Sequence, residues 1–218
     1  MRAPVLTIDG PSGAGKGTVS RAIARRLGWH YLDSGSIYRS LAIAALAAGT
    51  DLNDETAIVN VALAMSLEFE CHAELVVKLD GRDITDQLGL ESTGNAASIV
   101  AALPEVRQVL LQKQKDFRQS PGLVADGRDM GTVVFPDAQY KVFLTASAEE
   151  RAMRRYKQLK EKGIDANLAR ITQEIEERDR RDRERAAAPL VQAQDAVFID
   201  SSDLSIEAVI DRVVSLIH

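Results

Sequence analysis

The sequence predicts an α/β fold: a parallel core sheet covered by helices, with a small antiparallel sheet inserted into it. Three observations predict it. Short apolar runs at Val5–Asp9, Gly122–Asp126, Tyr140–Leu144 and Val197–Ile199 read as buried strands. Helical stretches separate them, and strand–helix alternation gives a parallel sheet covered on both faces. Residues 67–85 break the pattern: Leu67-Glu68-Phe69-Glu70-Cys71 alternates, as does Leu75-Val76-Val77-Lys78-Leu79, and Asp80-Gly81 is a hairpin-turn signal before Arg82–Thr85.

The elements follow in order. Val5–Asp9 is a strand and Lys16–Leu27 a helix that Gly28 stops. Trp29–Leu32 is short and extended. Residues 34–48 form an alanine-rich helix ended by Gly49, with Ser34 as a candidate N-cap. Asp51 to Ser66 reads as a loop and another helix, capped by Asp54. Pro104 begins an amphipathic helix to about Arg118, since proline is preorganised for the first helical position. Helices fill about 147–162 and 167–185 with Gly163 between them, and Ser205–Ile217 closes the chain.

Length and composition bound the function. At 218 residues and 45% apolar content, the chain supports one large domain or a core with insertions. A net charge of −5 argues against a general affinity for nucleic acid or anionic membrane, since both need a basic footprint. Cys71 is the single cysteine, so no disulfide framework and no cysteine-based zinc site form within one chain, and a small buried hydrophobe is its expected role. His30, His72 and His218 form no ligand cluster by spacing. No apolar stretch is long enough to cross a bilayer, and a strand so near Met1 leaves no room for a signal peptide. A cytoplasmic protein is expected, and a monomer, because no dimer stripe is visible.

Gly10-Pro11-Ser12-Gly13-Ala14-Gly15-Lys16-Gly17-Thr18 follows the first strand directly and opens a helix. Glycines without β-carbons let successive N–H groups approach an anion, and the helix adds its positive end. Lys16 supplies a full charge suited to β- and γ-phosphates. A glycine-rich turn with a surface lysine is the bland alternative; strand before, helix after and Lys16 in the required position favour a nucleoside-triphosphate cradle.

Two loops that follow strands carry candidates for a second substrate. Asp33-Ser34-Gly35-Ser36-Ile37-Tyr38-Arg39 places Arg39 in the first turns of a helix, where the dipole does not favour a cation, so an anion ligand is a fitting role. Asp126-Gly127-Arg128-Asp129-Met130-Gly131-Thr132 puts carboxylates at a strand end, where such folds hold a magnesium ion directly or through water, and Arg128 offers a fork for phosphate oxygens. A tight turn with a structural ion pair is the competing reading of that segment.

Residues 149–185 hold nine arginines, three lysines and ten acids, so their net charge is only about +2 and they form no nucleic-acid patch. An acid stands four residues before each of Arg178, Arg180, Arg181 and Arg183, as on a solvated helix laced with ion pairs. Arg178, Asp182 and Arg185 also share one face, which would suit a ribose and a phosphate equally well. Arg151, Arg154 and Arg155 share another surface, either solvated or part of a mobile clamp.

Taken in order, the phosphate loop, Asp-Ser-Gly-x-x-Tyr-Arg, Asn95-Ala96-Ala97-Ser98, Ala-Asp-Gly-Arg-Asp-Met-Gly-Thr with Val133-Val134-Phe135-Pro136-Asp137, and Glu-Arg-Asp-x-Arg-Asp-x-x-Arg resemble the bacterial cytidylate (CMP) kinase family from residue 5 to about 215. The resemblance implies a P-loop kinase that moves the γ-phosphoryl group of ATP to CMP or dCMP with Mg²⁺. It implies a core at about 1–33, 86–148 and 164–218, a monophosphate-binding region at about 34–103 that includes the 67–85 sheet, and a lid at about 150–163. Residues 10–18 would take ATP. Ser34, Arg39, Arg128 and Arg178 would hold the monophosphate and ribose side, with Asp182 on the ribose. Ser98, Arg107, Asp129 and Arg185 would address the base. Lys16, Arg128, Arg154, Arg155 and Arg181 are the expected catalytic cations, and Asp126 would meet the metal through a water. Gly17 stands where many phosphate loops carry the Ser or Thr that touches Mg²⁺, a Gly-Lys-Gly-Thr form typical of nucleoside monophosphate kinases.

The chemistry of the base agrees with that expectation. Cytosine presents an N4 donor that Asp129 and Ser98 can accept from, whereas uracil would place a carbonyl against Asp129. The rivals are a P-loop kinase for another small acceptor, such as AMP, shikimate or dephospho-coenzyme A, and a nucleotide-dependent switch.

Overall fold

Every residue of β1 (Val5–Asp9) is buried, which is what a central strand of a doubly covered sheet requires. The computed structural model describes residues 2–71, 75–161 and 163–217, and the side chains of Glu70, Cys71 and Leu75 are not among what it describes. The expectations for the Cys71, His72 and His218 side chains therefore lie outside the described residues. The chain divides into two compact units, Met1–Leu32 with Arg118–His218, and Asp33–Phe117.

The first unit carries the large sheet. Its strands are β1, β2 (His30–Asp33, whose last residue opens the second unit), β6 (Leu123–Gly127), β7 (Tyr140–Thr145) and β8 (Val197–Asp200), in the order β2-β6-β1-β7-β8. β1 runs parallel to β6 and β7, with Ile8 opposite Asp126 and Val142, and β8 runs parallel to β7. The carboxyl ends of β1 and β6 thus lie side by side, where open parallel sheets bind ligands. Helix α1 (Lys16–Leu27) begins at Gly15 in a left-handed conformation (φ 91°) and packs on β6 and on α9 (Ile206–Val214). Helices α7 (Ala148–Glu161) and α8 (Leu168–Glu184) pack on each other through Ala152, Ile171 and Ile175.

The second unit contains α2 (Ser34–Ala47), α3 (Glu55–Ala64), the antiparallel strands β3 (Leu67–Cys71), β4 (Leu75–Leu79) and β5 (Arg82–Asp83), then α4 (Thr85–Leu88), α5 (Glu91–Val100) and α6 (Pro104–Lys115). Asp54 caps α3, as expected. The cap of α2 is Asp33 and not Ser34: the Asp33 carboxylate accepts from Ser36 N at 3.0 Å, and Ser34 is the first helical residue. The Ser34 hydroxyl is engaged elsewhere, donating to Gln114 Oε1, and the cap falls to the carboxylate one residue upstream.

Two features go beyond the sequence reading. Residues 91–100 form a helix despite their Ser-Thr-Gly-Asn opening, because Thr93, Gly94, Ala96 and Ala97 are small enough to bury against α2. Residues 130–134 form a π-helical turn after β6, in which Val133 N and Val134 N both donate to the Asp129 carbonyl. Among the described residues, no helix is long and apolar enough to cross a membrane.

Candidate active site

The phosphate loop is shaped by close packing. A β-carbon on Gly10 would overlap the Leu144 carbonyl of β7, so only glycine lets the chain leave β1 in this direction. Gly15 then turns into α1 with no side-chain cap, and the first amides of the helix keep their donors for an anion. Lys16 is buried within the loop, its Nζ donating to the Pro11 carbonyl at 2.9 Å.

Helices α7 and α8 are tied to this loop by arginine. Arg151 forms a bidentate pair with Asp179 at 2.6 and 3.1 Å, both side chains buried, and its Nη1 also donates to the Ser12 carbonyl at 2.9 Å. Arg178 Nη1 donates to Ser12 Oγ at 3.2 Å. Arg154 binds Glu150 at 2.9 Å and the Ser201 carbonyl at 2.7 Å, and Ser201 Oγ lies 3.3 Å from the Ala14 carbonyl. Arg155 and Arg181 are half-buried on α7 and α8.

Arg178, Asp179 and Asp182 are buried, so a wholly solvated helix does not describe them, although Arg183 does approach Asp179 in an i,i+4 pair at 3.9 Å. Arg128 Nε donates to Asp182 Oδ2 at 2.8 Å, and Arg185 Nη2 stands 3.8 Å from Asp129 Oδ1. Burial disfavours the Asp182 carboxylate, but Arg128, Arg178 and Arg185 together outweigh it and hold its pKa below the ordinary value. Arg128 is likewise desolvated, and Asp182, Asp126 and Asp179 more than restore its affinity for the proton.

At the end of β6, Asp126 Oδ2 accepts from the Tyr31 hydroxyl at 2.8 Å. A β-carbon on Gly17 would lie 3.6 Å from that oxygen and 3.3 Å from Arg21 Nη1, so the carboxylate borders the phosphate loop. Among the described residues, no three His, Cys, Asp or Glu side chains converge on one point. One carboxylate beside a phosphate cradle fits a hard cation that keeps most of its water and phosphate ligands, as magnesium does.

Asp9, the last residue of β1, accepts from Met130 N at 2.8 Å and Gly131 N at 2.7 Å. Burial pushes its pKa up to about 7, and Asp129 adds to that rise, against the two amide bonds and Lys16. An acid raised above its unfolded pKa of 3.8 takes up a proton on folding, so its effect on stability has a definite sign. Folding stability should fall as the pH rises from about 4 to about 7, by on the order of 3 kcal/mol from this residue. Denaturant unfolding of wild type and Asp9→Asn across that interval checks it: the difference between the two curves should shrink or invert as pH rises. Parallel curves would show that Asp9 titrates normally.

In the second unit, Ser34 Oγ donates to Gln114 Oε1 at 2.8 Å. Arg39 lies on the same helix, its Nε buried without a hydrogen-bond partner among the described residues. Arg107 is buried, its guanidinium 5.4 Å from the Tyr38 ring centroid and its Nη1 donating to the Ala101 carbonyl at 3.2 Å. Ser98 is buried on α5.

Several contributors carry little signal in the sequence. Asp9 and Ser201 act on backbone groups more than 100 residues away, and Tyr31 looks like any residue of a short strand. Arg151 and Asp179 sit in a run of charges where nothing distinguishes the buried pair from exposed ones.

A strand that hands its chain through a glycine cradle to a helix, with a buried lysine inside and guanidinium groups gathered from α8, is built to hold a polyphosphate and its charge. That defines the class: a P-loop phosphotransferase of α/β architecture. The cytidylate kinase family profile matches residues 6–218. A cytidylate kinase from Methylococcus capsulatus is 62% identical over 215 residues, covering 99% of this chain and 97% of its own. Cytidylate kinases from Aeromonas salmonicida and Aeromonas hydrophila subsp. hydrophila are each 56% identical over 214 residues, covering 98% of this chain and 93% of theirs. The chain belongs to the cytidylate kinase family.

Proposed function

We propose that the protein transfers the γ-phosphoryl group of ATP to CMP and dCMP, giving ADP and CDP or dCDP. The observation that carries the reading is the pairing of a carboxylate with a guanidinium, Asp129 with Arg185, buried in the same unit as the phosphate loop of a cytidylate kinase family member. An acceptor and a donor held together match the cytosine edge, which offers an N4 donor beside ring acceptors. Uracil reverses the N4 position and meets the carboxylate with repulsion.

Residues 10–18 take the ATP phosphates in this reading. Ser34, Arg39, Arg128, Arg178 and Asp182 take the monophosphate and ribose, and Ser98, Arg107, Asp129 and Arg185 the base. Magnesium, when bound, would supply positive charge against the ATP phosphates; Asp126, held by Tyr31, is the residue that would meet it through a water. Lys16, Arg128, Arg154, Arg155 and Arg181 offset the charge that two anionic nucleotides bring together. No general base is assigned, because an ionised CMP oxygen needs only alignment. Residues 150–163 act as a lid that excludes water and so prevents hydrolysis of ATP. The protein works as a cytoplasmic monomer and binds no nucleic acid.

A coupled assay of ADP formation across CMP, dCMP, UMP, AMP and GMP tests this. CMP and dCMP should lead UMP by roughly tenfold to a hundredfold, the range that one mispaired buried polar group commands. Faster turnover of AMP or GMP, or ATP hydrolysis that needs no acceptor, would overturn the assignment.

A further inference from the structure

A helical turn that starts at an aspartate normally has that aspartate as its own cap. Asp129 precedes the π-helical turn Met130–Val134, yet its carboxylate makes no capping bond there. The first two amides of the turn, Met130 N and Gly131 N, are instead satisfied by the two oxygens of Asp9, reaching across from β1 at 2.8 and 2.7 Å. The Asp129 carboxylate lies towards Arg185, with both side chains almost wholly buried.

The arrangement leaves little slack. Asp9 is 4% exposed and Asp129 2%, so neither carboxylate has water to fall back on. A β-carbon on Gly131 would stand 2.8 Å from Thr7 Oγ1 and 3.3 Å from Asp9 Oδ2, which fixes the turn tightly over the end of β1. The backbone of Asp129 is held from the other side as well, since its carbonyl accepts from Val133 N and Val134 N.

We infer that Asp9 is a positioning residue for base recognition: by capping the turn in place of Asp129, it directs the Asp129 carboxylate at Arg185 and the cytosine edge instead of at its own helix. This rests on the reading of Asp129 as a base contact. Without the Asp9 acceptors, the amides of Met130 and Gly131 are orphaned in a buried place, and the Asp129 carboxylate, at the position aspartate prefers as a cap, would turn back to the amide of Gly131, the second of the turn. Base selection should then suffer before phosphate binding does, because Asp9 does not hold the anion.

The test compares wild type, Asp9→Asn, Asp129→Ala and the double variant, measuring kcat/KM for CMP and UMP and the KM for ATP. Asp9→Asn keeps the shape but sets an amide NH₂ against a backbone N–H. It should lower the CMP-to-UMP ratio about tenfold, the scale of one lost buried hydrogen bond, with the KM for ATP within about threefold. Asp129→Ala should lower the ratio at least as far, and the double variant should equal Asp129→Ala, since Asp9 acts through Asp129. A fall in thermal stability with the ratio unchanged in Asp9→Asn, or an additive double variant, would overturn the role of Asp9 while leaving that of Asp129 standing. An unchanged ratio in Asp129→Ala would remove both. Should Asp9→Asn fail to fold, Asp9→Ser, which keeps one small acceptor, is read by the same ratio.

Discussion

Replacing Lys16 with alanine is expected to lower kcat by about 10³-fold while the KM for CMP stays within about threefold. The side chain is buried inside the glycine loop with its ammonium at 2.9 Å from the Pro11 carbonyl, so the charge is already placed before a nucleotide arrives. A preorganised cation in a water-poor site stabilises charge that develops on the transferring group without having to reorganise at that moment. In the proposed reading CMP is held by other residues, so its binding should register little of the change. Steady-state kinetics with both substrates varied would decide it. Equal losses in kcat and in CMP affinity would mean that Lys16 serves binding in general and not the transfer step.

How far the fold could be read from the sequence depended on whether the signal was local. The strands of the large sheet, the hairpin at Asp80-Gly81 and the Asp54 cap all rest on neighbouring residues, and all are observed. The phosphate loop was legible for the same reason: nine consecutive residues carry its geometry. The α5 helix was not, because its stability comes from small side chains buried against α2, which overrides poor intrinsic propensity. Arg178 and Asp182 could be placed on one helix face by spacing, but spacing could not tell whether that face was wet or buried. Asp9 and Tyr31 escaped altogether: one acts on backbone amides 121 and 122 residues away, the other on a carboxylate 95 residues away. Burial is a property of tertiary packing, and the residues that prepare a site, unlike those of its glycine loop, are gathered from distant parts of the chain.

Arg128→Ala should be the most damaging change on the acceptor side, lowering kcat/KM for CMP at least about 10²-fold and destabilising the fold by about 3 kcal/mol. Two effects add here. Arg128 Nε donates to Asp182 at 2.8 Å, and only 18% of the Arg128 side chain and 6% of the Asp182 side chain remain exposed, so removing the guanidinium strands a carboxylate that is nearly out of water. The same guanidinium is the proposed fork for the CMP phosphate, and a methyl group offers that phosphate nothing. Arg128→Lys separates the two effects, because an ammonium keeps the charge but is a point donor that cannot serve a carboxylate and a phosphate with a planar fork. It should recover most of the stability and little of the kcat/KM. Asp182 adds a pH signature: its depressed pKa stabilises the fold above the ordinary carboxylate range, a contribution lost as the pH falls below about 4. In Arg128→Ala the chief counterion is gone, so acid unfolding should begin at higher pH. If Arg128→Lys restored full kcat/KM for CMP, the fork would have no part in holding the acceptor, and Arg128 would be a structural partner of Asp182 alone.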